Sequence, residues 1–233
     1  MNQNQKVVMI SGGNRGIGLA TVNRLLANGW QVSIGCRNPK DSALPQGNNV
    51  AAFFYDASLP ESEEFWLKET LSTFGKLDAL VINAGIMILG SVLDVTQVDY
   101  EKTFEINLTS PWRLSRLAWS SLKASGHGKI VIMSSLSGKR VASAASGLYS
   151  MSKFAVTGLT HALRLAGVDD HIRVTAICPS YVATDMAQAI SHVPMEKMTQ
   201  PETIANIIDM VLNLPFEASV AEVPVHWNFE ASY

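Results

Sequence analysis

The length, composition and charge of the chain exclude several classes of protein. The chain has 233 residues, of which 47% are hydrophobic, and this is enough to build one large core and indicates a single domain. Its net charge of −2 excludes a strongly basic surface. We therefore expect neither a nucleic acid nor an anionic membrane surface as a partner.

The residue pattern indicates neither membrane insertion nor metal binding. The longest apolar stretch, 79–93, is interrupted by polar residues and glycines and is too short to span a bilayer. We expect no signal peptide, because only residues 7–10 form a continuous apolar run near the start. Cys36 and Cys178 lack the spacing of metal ligands, so we expect no metal, reduced thiols and a cytoplasmic location.

Short apolar runs alternate along the chain with longer segments of helical periodicity. Helices are predicted between the strands, and one of them runs from Pro60 to Phe74, with glutamates near its positive end and Gly75 after it. This alternation predicts an α/β fold with a parallel sheet covered on both faces. The seven predicted strands are 6–11, 30–35, 50–55, 77–82, 129–134, 172–177 and 219–225.

A glycine-rich loop, SGGNRGIG, follows the first predicted strand. Its G-x-x-x-G-x-G spacing is that of neither a P-loop nor a G-x-G-x-x-G fingerprint. Glycine lets the backbone approach a pyrophosphate, and the next helix offers N–H groups to an anion, so the loop predicts a dinucleotide site. An ordinary glycine-rich turn is the alternative. The residues assigned to this site are Ser11, Gly12, Asn14, Arg15, Gly16, Ile17 and Gly18.

The end of the second strand indicates which dinucleotide is bound. An NAD site usually has an acidic residue about 20 residues beyond the glycine loop, where it bonds the ribose 2′-hydroxyl. Here Arg37 stands in that place, no acid occurs before Asp41, and Arg15 lies within the loop. Two guanidinium groups suit a 2′-phosphate, which predicts NADP(H) in preference to NAD(H). Two solvated surface arginines are the alternative.

Tyr149 stands four residues before Lys153 in the stretch LYSMSKFAV. On a helix this spacing places both side chains on one face. A neighbouring ammonium favours the phenolate, so we expect the lysine to lower the pKa of Tyr149 towards the working pH. The pair predicts acid–base chemistry on a carbonyl or alcohol oxygen, and an exposed surface pair is the alternative.

These motifs, and several others in the same order, resemble the short-chain dehydrogenase/reductase family over nearly the whole chain. The loop matches T-G-x-x-x-G-x-G with serine for threonine, INAG (82–85) is similar to N-N-A-G, IVIMSSLSG (130–138) to the catalytic serine segment, and PSYVAT (179–184) to P-G-x-V-x-T. The resemblance implies a single Rossmann-fold domain with a doubly wound, seven-stranded parallel sheet. Its cofactor half would cover about 1–130 and its catalytic half about 131–233.

The resemblance also implies roles for individual residues. The catalytic residues would be Asn107, Ser135, Tyr149 and Lys153, with Tyr149 as acid/base and Lys153 also bonding the nicotinamide ribose. The backbone oxygen of Asn107 would hold a proton-relay water, and Pro111, which cannot bond that oxygen, either keeps it out of the helix or simply kinks the helix. The other cofactor contacts implied are Asp56, Ala57, Asn83, Ala84, Gly85, Pro179, Val182 and Thr184.

The predicted function is hydride transfer between NADP(H) and a small carbonyl or alcohol substrate (EC 1.1.1.-). The alternative is a regulatory or sensor protein that binds NADP(H) without turnover. We also expect a homodimer or homotetramer, because the predicted helices near 99–124 and 149–166 carry apolar residues on more than one face.

The substrate side is less well specified by the sequence. Lys139 and Arg140 follow the serine segment and either meet an anionic substrate or belong to a solvated loop. Three methionines, Met186, Met195 and Met198, lie in a predicted substrate lid at about 185–200. Methionine suits an adaptable apolar lid, and ordinary core or interface packing is the alternative.

Overall fold

The computed structural model describes residues 5–228, which build a seven-stranded parallel sheet with helices on both faces. In space the strand order is β3-β2-β1-β4-β5-β6-β7, and each neighbouring pair is parallel. This sheet confirms the predicted doubly wound Rossmann architecture. The strands are β1 (Val7–Ser11), β2 (Gln31–Cys36), β3 (Val50–Phe54), β4 (Ala79–Ile82), β5 (Lys129–Met133), β6 (Arg173–Pro179) and β7 (Glu222–Val225).

The helix predicted from Pro60 to Phe74 has those bounds in the structure, and Gly75 ends it in the left-handed conformation with φ 79°. The helix predicted near 99–124 is instead two α-helices joined by a π-helical turn at Glu105–Thr109. The α-helices are α1 (Gly16–Ala27), α2 (Pro60–Phe74), α3 (Gln97–Phe104), α4 (Ser110–Ala124), α5 (Gly147–Ala166), α6 (Asp185–Gln188) and α7 (Pro201–Asn213).

Side chains of β1 alternate between two hydrophobic cores, as the two-residue period of a strand requires. Val8 and Ile10 pack towards α1 and α7, whereas Val7 and Met9 pack towards α2, α4 and α5. All four are fully buried. Because both faces of the sheet are covered, its central strands are apolar at nearly every position, which explains the short apolar runs in the sequence.

One connection departs from the strand–helix alternation. β2 and β3 are joined by residues 37–49, which form turns and no helix. Pro39 and Pro45 interrupt this segment, and Gly47 has φ 155°, so a continuous helix cannot form there.

The strand order reverses beside β1, whose neighbours are β2 on one side and β4 on the other. In an open parallel sheet, this reversal opens a crevice beyond the carboxyl ends of the strands. Within residues 5–228, no helix is both long enough and apolar enough to cross a membrane.

Candidate active site

A cleft of about 840 Å³ lies at the carboxyl edge of the sheet and contains most of the predicted site residues. Ser11, Gly18 and Asn107 are the predicted residues that do not line it. All three are buried behind the cleft wall. The predicted residues that line the cleft are Gly12, Asn14, Arg15, Gly16, Ile17, Arg37, Asp56, Ala57, Asn83, Ala84, Gly85, Ser135, Tyr149, Lys153, Pro179, Val182 and Thr184.

The glycine loop needs glycine for two different physical reasons. Gly12 and Gly16 have φ of 65° and 52°, a region that side chains with a Cβ rarely enter. Gly18 is needed for space, because a Cβ there would lie 2.1 Å from the carbonyl oxygen of Gly12. The loop therefore passes directly from β1 into the start of α1, and most of its residues line the cleft.

Ser11 and Asn83 fix this loop to the end of β4. The Ser11 hydroxyl accepts bonds from the backbone N–H groups of Asn83 and Ala84, both at 3.0 Å. The Asn83 amide nitrogen donates to the carbonyl oxygens of Ser11 and Gly12, both at 3.1 Å. These four bonds hold the two cleft walls together, which explains why a serine can replace the threonine of the family motif.

Charged side chains cluster at the glycine-loop end of the cleft. Burial raises the pKa of Asp56, but bonds from Ser58 and the positive charges of Arg37 and Lys102 outweigh it and hold that pKa below its ordinary value. Lys102 lies on α3 and lines the cleft, although no sequence motif points to it. Its place depends on how α3 packs, which explains why sequence reasoning missed it.

Arg15 bonds a residue beyond the glycine loop. Its Nη1 donates to Oδ2 of Asp185, the first residue of α6, at 3.0 Å. The two side chains are 65% and 75% exposed, so the ion pair is weak and can exchange partners at little cost.

Ser135, Tyr149 and Lys153 are brought together by β5 and α5. Ser135 follows β5 and caps a short 3₁₀ helix, while Tyr149 and Lys153 lie in the first two turns of α5. All three are at least nine-tenths buried. The Lys153 ammonium donates to the carbonyl oxygen of Met133 at 2.8 Å and lies 5.6 Å from the centre of the Tyr149 ring. The exposed surface pair is therefore excluded.

The pKa of Tyr149 moves in the opposite direction to the one expected. Burial raises it to about 12, and the Ser135 hydroxyl offsets only part of this rise. Burial also lowers the pKa of Lys153 to about 8. The reason is that both groups are removed from water, which destabilises the phenolate and the ammonium alike. At neutral pH the phenol is neutral and holds its proton.

Asn107 lies in the π-helical turn, and its side chain bonds Ile86 and Ser152. Its Oδ1 accepts from the N–H of Ile86, and its Nδ2 donates to the carbonyl oxygen of Ile86, both at 2.9 Å. Nδ2 also donates to the Ser152 hydroxyl at 3.0 Å, and that hydroxyl donates to the carbonyl oxygen of Tyr149 at 2.7 Å. The helix is irregular just before Pro111, as the proline predicted.

The segment 185–200 is fixed at both ends beside the cleft. Val182 and Thr199 form a parallel bridge, and Ala183 N donates to the carbonyl oxygen of Thr199 at 2.9 Å. Of the three methionines, Met186 and Met195 line the cleft, whereas Met198 is 4% exposed and packs beneath the segment. Met198 therefore belongs to ordinary packing, while Met186 and Met195 lie where a lid residue would have to lie.

Lys139 and Arg140 have different surroundings. The Lys139 ammonium lies 2.7 Å from Oε2 of Glu222 on β7, and Oε1 of the same carboxylate lies 2.7 Å from Nε2 of His161. Arg140 lines the cleft. Across the described residues, no group of three or more His, Cys, Asp or Glu side chains is placed to hold a metal ion.

Comparison with known proteins identifies the family. The family model described as short chain dehydrogenase matches residues 6–194. The chain belongs to the short-chain dehydrogenase/reductase family. This membership confirms the resemblance seen in the motifs and assigns the chain to a family of oxidoreductases.

Curated members of the short-chain dehydrogenase/reductase family and a solved structure cover most of the chain. An agropine synthesis reductase of Rhizobium rhizogenes is 34% identical over 92% of this chain, but the chain spans only about half, 50%, of that relative. A tropinone reductase homolog of Arabidopsis thaliana is 34% identical, over 87% of this chain and 82% of its own length. An alcohol dehydrogenase from the archaeon Thermococcus sibiricus, solved with 5-hydroxy-NADP, has a TM-score of 0.83 and 26% identity over 95% of this chain and 96% of that one.

Proposed function

We propose that the protein is an NADP(H)-dependent oxidoreductase that transfers hydride between the nicotinamide and a small carbonyl or alcohol substrate. One observation carries this proposal: Ser135, Tyr149 and Lys153 are largely buried in the wall of a single cleft. The glycine loop lies at the other end of that cleft. The names of two relatives, a reductase and a reductase homolog, support a redox activity.

The residues of the cleft fit a dinucleotide. Gly12 and Gly16 line the cleft in a backbone conformation that favours glycine, and the N-terminus of α1 can bond phosphate oxygens. Asp56 would meet the adenine, while Asn83, Pro179 and the other predicted contacts would line the rest of the dinucleotide. The cofactor supplies or accepts the hydride. The Thermococcus enzyme, solved with 5-hydroxy-NADP, supports a nicotinamide dinucleotide in this cleft.

We infer a preference for NADP(H) over NAD(H) from Arg15 and Arg37. Both line the cleft and both are exposed, so their guanidinium groups can turn towards a 2′-phosphate. Arg15 would exchange its weak ion pair with Asp185 for the more highly charged phosphate. Titration with both reduced dinucleotides tests this preference, and equal or tighter binding of NADH would contradict it.

Tyr149 would act as the proton donor in the reductive direction. Because its pKa is about 12, it holds the proton that a developing alkoxide needs. Ser135 would donate a bond to the same substrate oxygen, and Lys153, with a pKa of about 8, would carry a positive charge beside the phenol near neutral pH. Alcohol oxidation requires the phenolate, so we expect its rate to rise with pH.

Asn107 would be a positioning residue. It does not line the cleft, and its three side-chain bonds join the π-helical turn to Ile86 and to the turn of α5 that carries Tyr149. Pro111 cannot donate to the backbone oxygen of Asn107, which would favour the relay water that the family resemblance implies over a regular helical bond to that oxygen.

We assign the cofactor half to about 1–130 and the catalytic half to about 131–233, with 185–200 as the substrate lid. The cleft-lining methionines Met186 and Met195 suit a lid that adapts to its substrate.

We also propose a cytoplasmic location. Cys36 and Cys178 are buried and form no disulfide, in keeping with a reducing compartment.

We also propose a homodimer or homotetramer. Trp112, Met151 and Phe154 on α4 and α5 are each more than two-fifths exposed, and a neighbouring subunit would cover this apolar surface.

The experiment that tests the function is a panel of small ketones, aldehydes and oxo acids, followed by the loss of NADPH absorbance. Reduction of at least one substrate class by the wild type supports the enzyme. Tight NADPH binding with no turnover of any carbonyl or alcohol would favour the regulatory alternative. The retained Tyr149 and Lys153 argue against that alternative, because a protein that only senses NADP(H) has no need of an acid/base.

A further inference from the structure

A hydrogen-bonded turn connects Ser135 to Arg140, five residues later in the chain. The Ser135 carbonyl oxygen accepts from Gly138 N at 2.9 Å, and the Leu136 carbonyl oxygen accepts from the N–H groups of Lys139 and Arg140 at 2.9 and 3.1 Å. A Cβ on Gly138 would lie 2.7 Å from the Lys153 carbonyl oxygen, so the turn packs directly against α5. The position of Arg140 is thus tied to the catalytic serine and lysine.

The neighbouring Lys139 is directed away from the cleft by its partners. Its ammonium contacts Glu222, which also contacts His161 on α5. The pKa of Glu222 is held below its ordinary value, because bonds from Lys139 and His161 outweigh burial, which alone would raise it. This network ties Lys139 to β7, and the next residue, Arg140, lines the cleft.

The charges that line the cleft are distributed unevenly. Among the described residues, its carboxylates are Asp56 and Asp185, and both lie near the cations of the glycine-loop end. The catalytic end carries the positive charges of Lys153 and Arg140. Arg140 interacts with other protein groups, so an incoming anion would join or replace an existing contact.

The remaining wall near this end combines apolar side chains with the hydroxyls of Ser137, Ser143 and Ser146. It is built by side chains from the loop after β4, the loop that precedes α5, and the lid. A wall with a large apolar part and one arginine suits a substrate that has an apolar body and a single anionic group. The apolar residues concerned are Met87, Leu89, Ala142, Ala145, Met186 and Met195.

We propose that Arg140 selects the substrate by binding a carboxylate, and hence that the substrate is a carbonyl compound with a carboxylate attached through an apolar chain. This proposal rests on the proposed reductase function and names its substrate class. Arginine suits the role because its planar fork matches a carboxylate with two parallel bonds.

The test compares a series of oxo acids of increasing chain length with their methyl esters, under NADPH, for the wild type and for Arg140→Met and Arg140→Lys. A lost bond to a charged group should lower kcat/KM for the best acid by roughly ten- to one-hundred-fold in Arg140→Met and by less in Arg140→Lys. The ester should change by no more than about two-fold, because it never used the charge. Arg24→Met is the matched control, since Arg24 bonds Asp209 away from the cleft.

Equal kcat/KM for acid and ester in the wild type would overturn the proposal, as would an equal loss for both in Arg140→Met. Either result leaves the reductase function standing. If no carbonyl is reduced, the reductase function fails, and a second measurement decides on Arg140. The melting temperature is then compared with and without the same acids in the presence of NADP⁺. A rise that is lost in Arg140→Met supports carboxylate binding, and a rise that is absent or unaltered by the substitution contradicts it.

Discussion

Lys153→Met should make the protein more stable while destroying its activity. Burial lowers the pKa of this lysine from the ordinary 10.5 to about 8, a difference that corresponds to about 3 kcal/mol against the buried ammonium. Methionine has a similar length and no charge to desolvate. The lost bond to the carbonyl oxygen of Met133 offsets part of the gain.

The pH dependence of this effect identifies its origin. Below the folded-state pKa of about 8, Lys153 is protonated in both the folded and the unfolded state. The folded protein then bears the whole free-energy cost of burying the ammonium. Between about 8 and 10.5 the unfolded chain keeps a proton that the folded protein has released, so the free energy of unfolding rises with pH in that window. This lysine should therefore make the wild type about 2 kcal/mol more stable at about pH 9.5 than at about pH 7.5.

Urea unfolding of the wild type and Lys153→Met at both pH values measures the effect. The difference between the two proteins should shrink by about 2 kcal/mol at the higher pH, and because it is a difference, the titration of groups distant from Lys153 cancels. Lys68→Met, at an exposed lysine of α2, is the control and should change stability by no more than about 0.5 kcal/mol at either pH. A difference that is independent of pH would refute the reasoning.

Three further predictions follow from other parts of the structure. Gly18→Ala should weaken NADPH binding at least about ten-fold in a fluorescence titration, because the added Cβ would lie 2.1 Å from the Gly12 carbonyl oxygen. Gly158→Ala is the control and should leave binding unchanged, because no atom lies within 4 Å of its added Cβ. Asn107→Leu should lower the free energy of unfolding by about 1–3 kcal/mol in urea, since it removes the partners of the part-buried N–H and carbonyl groups of Ile86; a loss below about 0.5 kcal/mol would contradict this. Light scattering at micromolar concentration should give the mass of a dimer or tetramer, and a monomeric mass would refute the oligomer.

The sequence predicted those features that depend on residues close together in the chain. The glycine loop and the Tyr149–Lys153 spacing are local signals, because each needs only one turn or one helix face. The strands were recognisable from their apolar runs, and the bounds of α2 from Pro60 and Gly75. The parallel sheet then brings the separate motifs to one edge, so most of the predicted site residues line one cleft.

Features that depend on packing between distant segments could not be predicted. Glu63, expected only to favour the positive end of α2, is fully buried and makes two bonds to Arg113 of α4, at 2.9 and 3.0 Å. The contribution of Lys102 to the cleft depends in the same way on the packing of α3. The expected fall in the pKa of Tyr149 was wrong because helical spacing reveals the neighbouring ammonium but does not reveal how deeply the phenol is buried.

The assignment of Tyr149 as the acid/base is the central claim, and Tyr149→Phe tests it most directly. The ring stays in its buried place, and only the hydroxyl that holds the proton is lost. The measurement is the single-turnover rate of NADPH oxidation on a confirmed carbonyl substrate, with NADPH affinity determined alongside. We expect the rate to fall by about 10²–10⁴-fold while the affinity changes by less than about two-fold. A variant that keeps most of the wild-type rate would contradict the assignment.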